Sequence, residues 1–124
     1  MICELESRDV HDRVTRGVTH LSDYLGSDAW LGRIDVETLD VGSQLACVVC
    51  HVTGHSYAVG VQLLGGPSMH EPFEMLEWAD YHGFAIRGAT RTSPAYGQLT
   101  SAWVERVTLL RAQSLAATRD GQVA

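Results

Sequence analysis

The chain of 124 residues contains no lysine and no asparagine, so nine arginines carry all of its side-chain basic charge apart from histidine. Folding physics does not require that choice, because lysine and arginine serve exposed helix faces about equally well. Both missing residues have A/T-rich codons, and a GC-rich genome is the plainest cause. No stretch approaches the roughly 18 apolar residues of a membrane span, and Met1-Ile2-Cys3-Glu4-Leu5-Glu6 lacks the basic start of an export signal. The cytoplasm is therefore the expected compartment, where three cysteines read as reduced thiols and not as a disulfide framework. Also missing are the GxSxG elbow, the GxxxxGK[ST] loop, HExxH and GxGxxG. Histidines 11, 20, 51, 55, 70 and 82 form no triad with a nucleophile. An enzyme is not expected.

What is present suits one domain. A hydrophobic content of 45% can bury a core without staples, and no repeat, low-complexity tract or linker divides residues 1–124. Residues 1–6 and 120–124 are expected to fray. The net charge of −6 argues against general nucleic-acid or membrane binding. That charge is unevenly placed: residues 1–83 hold four arginines and thirteen acids, residues 84–124 five arginines and two acids. Packing of the two parts against each other would partly neutralise them.

Hydrophobic spacing predicts a mainly α, compact single-domain fold of four to five helices with short irregular connections and, as an alternative, a minor β element. Val10, Val14, Val18, Leu21 and Leu25 make one stripe on a helix over 7–25, with Ser7 as N-cap and Gly26 as a left-handed stop. Residues 27–42 read as one or two short turns with Trp30, Ile34 and Leu39 inward. Leu45–Val52 reads as a buried strand or as a helix capped by Ser43, lined by Leu45, Val48, Val49 and Val52 and stopped by Gly54. The helical reading is preferred, followed by a second short helix capped by Ser56 with Tyr57, Val61 and Leu64 aligned. Pro72 opens a helix whose apolar surface comes from Phe73, Leu76 and Trp78, and Gly83 ends it. Residues 84–92 are a connector with a short extended piece at Phe84-Ala85-Ile86 as an option. Ser93 caps and Pro94 opens a last helix buried along Leu99, Ala102, Trp103, Val107 and Leu110, and fraying is expected before Gly121.

Cys47-Val48-Val49-Cys50-His51 matches the c-type haem attachment pattern, in which two thiols bond the vinyl groups and the histidine ligates iron. That chemistry normally needs export, so haem is not expected. On one helix Cys47, Cys50 and His51 would share a face with His55 one turn on, and thiolate with imidazole is zinc's preferred ligand set. A small zinc-stabilised domain is thus one alternative. The competing reading makes both cysteines buried small hydrophobes, and no cofactor. Arg87, Arg91, Arg106, Arg111 and Arg119 support a second alternative, a DNA-binding regulator contacting phosphates. They are scattered, and no recognition pair precedes the last helix. Asp80-Tyr81-His82 offers acid and base groups at a helix end, and Glu71, Glu74, Glu77 and Asp80 read as a solvated acidic face.

Arg16-Gly17 with a following leucine, Trp30, Arg33-Ile34-Asp35, Leu39-Asp40 and Cys47-Val48 stand in an order that resembles a group of small actinobacteriophage proteins of the mycobacteriophage type. The likeness continues through Gly54, Tyr57, Gly60, Gly83-Phe84, Tyr96, Leu99-Thr100 and Ala102-Trp103, over roughly residues 15–107. The resemblance implies a small cytoplasmic protein made in an infected actinobacterium, and it brings no catalytic residues. In similar proteins glycine and glutamine tend to stand where this chain has Cys50 and His51, which speaks against haem and against a shared zinc site. The expectation is a non-enzymatic phage accessory protein that binds a host or phage protein, with homo-oligomerisation left open.

Overall fold

Helix α1, Ser7–Leu25, starts the chain's architecture and shows why the stripe was readable. Val10, Val14 and Leu21 recur at helical spacing and are buried, and Gly26 ends the helix with φ 74°. Its entry differs from expectation. Glu6 occupies the N-cap without a side-chain bond and Ser7 is already helical. The cause is distant in sequence: Gln98 Nε2 donates to the Leu5 carbonyl at 3.0 Å and its Oε1 accepts the Leu5 amide at 2.9 Å, which fixes the chain one residue earlier.

The computed structural model describes residues 5–123, and side chains over residues 5–115. The expectations placed on Cys3, on the Arg119 side chain and on fraying at residues 1–4 and 124 lie outside those residues. A 3-10 helix, Ala29–Arg33, follows α1. Then come α2, Val48–Thr53; α3, Tyr57–Leu63; α4, Pro72–Tyr81; and α5, Pro94–Val123. No strand occurs among the described residues, so both strand options, Leu45–Val52 and Phe84–Ile86, give way to helix and to connector. Phe84, Ala85 and Ile86 are buried without a sheet partner because the Phe84 amide bonds the Ala79 carbonyl and the Ile86 amide bonds the Tyr96 hydroxyl. The fold is mainly helical.

The core forms where α5 crosses α1. Gly17 makes the approach close: a Cβ there would lie 2.2 Å from the His82 carbonyl oxygen and 2.6 Å from the Trp103 ring. Trp103 is fully buried, donates to the Gly83 carbonyl at 2.7 Å, and meets Trp30 edge-on and Phe84 in a stack. Arg111 fastens the 3-10 helix to α5 by donating to the carbonyls of Leu31 and Ile34. Arg13 fastens α1 to α4 through Asp80 at 2.7 Å, so Asp80 is a bridging carboxylate and not part of a solvated face.

Leu45 and Phe73, read as apolar helix surface, lie exposed, and three serine caps differ from the sequence reading. Ser43 does not cap α2; its hydroxyl accepts the Leu45 and Ala46 amides, and Cys47 caps by accepting the Cys50 amide at 3.3 Å. Leu45 therefore falls in a turn ahead of the helix and is 80% exposed. On α4 the buried row is Met75 and Ala79, and Phe73 lies roughly 200° round the helix from Met75, so it is 67% exposed. Ser56 and Ser93 precede their helices, yet Ser56 makes no side-chain cap bond and the Ser93 hydroxyl is buried without a partner. Finally, α5 runs from Pro94 to Val123.

Candidate functional site

Five segments of the chain line a cleft of about 360 Å³. The turn 41–44 forms one wall, held by the Val41 amide on the Thr100 hydroxyl at 3.0 Å. It approaches the connector so closely that a Cβ on Gly42 would lie 2.7 Å from the Arg91 carbonyl oxygen. The first turn of α3 presents Tyr57, whose amide bonds the Gln44 carbonyl at 3.0 Å. Leu76 comes from α4, and Phe84, Ile86 and Arg91 from the connector. Tyr96 closes the floor, its hydroxyl accepting the Ile86 amide at 2.9 Å and facing the Ile86 carbonyl at 3.2 Å.

Two polar groups on residues around this cleft are uncommitted. The Tyr57 hydroxyl has no hydrogen-bond partner and is buried, with no surface open to the cleft. Burial pushes its pKa up to about 12, with Tyr96 and Cys47 adding and Arg91 opposing, so it stays a neutral phenol. Arg91 is exposed at the edge and forms no ion pair among the described residues. Sequence reasoning missed both. Tyr57 was taken as part of a packed stripe and Arg91 as one of a scattered set, and no local pattern links them.

The proposed metal ligands do not converge. Cys47 and Cys50 touch at the start of α2; the Cys47 thiol bonds towards Cys50, which raises Cys47 and draws Cys50 down to about 7. Cys50 Sγ also meets the Gln44 carbonyl at 3.1 Å. His51 turns away: its Nδ1 accepts the Asp35 amide at 3.0 Å, and burial lowers its pKa against the opposing pull of Asp35. His55 is exposed beyond Gly54, where the left-handed residue turns the chain off the helix face. Among the described residues no three of His, Cys, Asp and Glu come together as a ligand set. The cysteines are free, buried, and packed among valines.

Of the arginines proposed for DNA, three are engaged elsewhere, Arg91 is not, and the side chain of Arg119 lies outside the described residues. Arg87 pairs with Glu77 at 2.7 Å, Arg106 donates to His11 and Thr15 on α1, and Arg111 is committed to backbone carbonyls. His82 is likewise structural, donating to the Trp78 carbonyl at 2.8 Å inside a ring cluster with His20, Trp78 and Phe84. Desolvation lowers its pKa, and Asp80 is held by Arg13.

Large apolar side chains are exposed where α1 and α3 finish and α4 begins, and also at Leu45, Tyr81, Leu109 and Leu115. Tyr24, Leu25, Leu63, Met69 and Phe73 are all between 40% and 67% exposed. Tyr24 lies over the α3–α4 turn, within 2.8 Å of where a Gly65 Cβ would be, and His20 donates to the Leu64 carbonyl at 2.7 Å. No helix among the described residues is long and apolar enough to cross a membrane. No protein-family model, curated protein or solved structure matches the chain.

Proposed function

We propose that the protein is a non-enzymatic accessory protein of the phage type, acting in the cytoplasm of an infected actinobacterium by docking on a host or phage protein. The observation that carries this reading is the apolar end formed by Tyr24, Leu25, Leu63, Met69 and Phe73. Scattered single apolar residues are ordinary on protein surfaces, but several at one end mark interaction sites. Aromatic and methionine side chains are also enriched at interface centres. Supporting it are the absence of any catalytic motif in the sequence and the phage resemblance of residues 15–107.

The test is site-specific photo-crosslinking in an actinobacterial lysate. A crosslinker in place of Met69 is expected to capture one reproducible protein, and one in place of the exposed Glu37 is not. Leu63→Ser with Phe73→Ser should abolish capture while shifting the melting temperature by less than about 3 °C, since both positions are surface sites. Equal capture from both crosslinker positions, or none, would overturn the reading.

A further inference from the structure

Independently of that docking end, we infer that Cys47 and Cys50 form a reversible disulfide when the protein meets a small hydroperoxide, Cys50 being oxidised first and Cys47 resolving it. The geometry at the start of α2 carries this. Cys47 is the N-cap and Cys50 the third helical residue, so both side chains leave the same side of the first turn. The Cys47 sulfur already lies 3.3 Å from the Cys50 amide nitrogen, from which it accepts a hydrogen bond. Residues three apart in a helix have Cα atoms roughly 5 Å apart, inside the span of about 4.4–6.8 Å that a disulfide bridges. Closing the bond asks for rotation about the side-chain bonds and leaves α2 in place.

The two sulfurs differ in what can reach them. Cys50 keeps 5% of its surface open, whereas Cys47 keeps none. Cys50 Sγ lies 3.1 Å from the carbonyl of the exposed Gln44, directly beneath the turn that precedes the helix. An opening that small suits a hydroperoxide and hinders a bulky oxidant. The Cys47 thiol outweighs burial and draws Cys50 down to about 7, so a substantial fraction is the nucleophilic thiolate at neutral pH. Its neighbour and burial push Cys47 the other way, so it stays a thiol. The chemistry balances in two steps. The Cys50 thiolate attacks one peroxide oxygen, the O–O bond breaks, and the departing oxygen takes a proton and leaves as water or alcohol. Cys50 is then a sulfenic acid. The Cys47 sulfur next attacks the Cys50 sulfur, the S–O bond breaks, and the released hydroxide takes the Cys47 proton and leaves as water. Two thiols lose two electrons in total and one peroxide gains them. A dithiol reductant restores both thiols by exchange.

Hydrogen peroxide is the probe, applied to the full chain. Trypsin cuts after arginine, so Cys47 and Cys50 share the peptide 34–87 and Cys3 falls in 1–8. After peroxide, labelling with N-ethylmaleimide in denaturant is expected to leave peptide 34–87 unlabelled and two hydrogens lighter. Dithiothreitol should restore both labels. Cys47→Ala should hold a sulfenic acid on Cys50, trapped by dimedone about ten-fold more than in wild type. Cys50→Ala should lose its Cys47 label about ten-fold more slowly than wild type. Both variants are compared once far-ultraviolet circular dichroism matches wild type, and the wild-type peptide map decides bond formation whatever a substitution does to folding. Both labels retained on wild-type 34–87, a disulfide to Cys3 or between two chains, or Cys47 oxidised as fast without Cys50 would overturn the inference.

Discussion

Gly17→Ala sets a local preference against a tertiary contact, and the structure says which wins. In an open helix the change would stabilise by about 1 kcal/mol. Here the added carbon would lie 2.2 Å from the His82 carbonyl oxygen and 2.6 and 2.8 Å from the Trp103 ring. Comfortable heavy-atom contacts begin near ~3.5 Å, so α1 must retreat by roughly an ångström or the indole must tilt. The carbonyl cannot swing aside easily, because its turn is tied by His82 and Gly83 amides bonded back to Trp78 and Asp80. A tilted Trp103 would break its 2.7 Å bond to the Gly83 carbonyl. Stranding that buried N–H costs about 1–3 kcal/mol, and over-packing costs about the same again. Set against the helix gain, the net loss is about 1–5 kcal/mol. For a domain of this size that lowers the melting temperature by roughly 4–20 °C. Thermal and urea unfolding followed by tryptophan fluorescence measure it. Gly97→Ala is the control: its Cβ would meet nothing within 4 Å, so it should gain up to about 1 kcal/mol. A Gly17→Ala protein as stable as wild type, with unchanged near-ultraviolet circular dichroism, would refute the close approach.

Four further outcomes are expected. Arg111→Lys should cost about 2 kcal/mol, since an ammonium cannot reproduce the fork that reaches both the Leu31 and Ile34 carbonyls; a urea midpoint equal to wild type would disprove that role. His82 has its pKa lowered by burial, with Arg16 and His20 adding and its bond to Trp78 opposing. Its contribution to stability is therefore complete above the ordinary imidazole value of about 6.5 and is lost as pH falls towards the folded value. Urea midpoints at pH 7.5 and 5.5 should fall less in His82→Gln than in wild type, and identical falls would exclude His82 as the cause. Cys50, drawn down to about 7 by the Cys47 thiol, should be alkylated before Cys47 on mass-spectrometric mapping. Purified protein should retain less than about half an equivalent of zinc by elemental analysis. Preferential labelling of Cys47, or stoichiometric zinc, would reverse the reading of this pair.

The helices were legible in the sequence because their signals are local. Val10, Val14 and Leu21 share a face by spacing alone, Gly26 and Gly54 end helices through left-handed backbone, and Pro72 and Pro94 open them. These rules act over three or four residues, so one chain suffices to read them. The rotation of α4 was not legible, because it is set by what Arg13 and the core ask of Asp80, Met75 and Ala79. Nor was the fate of the Cys47–His55 group. Whether four ligand-type side chains converge depended on Asp35 taking His51 and Gly54 turning His55 outward. The cleft is the clearest case. Its Tyr57 hydroxyl and Arg91 come from segments that meet only after α3, α4 and the turn 41–44 have packed, and a missing hydrogen-bond partner is a property of that packing. Sequence determined where this chain coils and which faces it hides; tertiary structure decided which polar groups were left without a partner, because satisfaction of a buried donor is settled by neighbours from the whole chain.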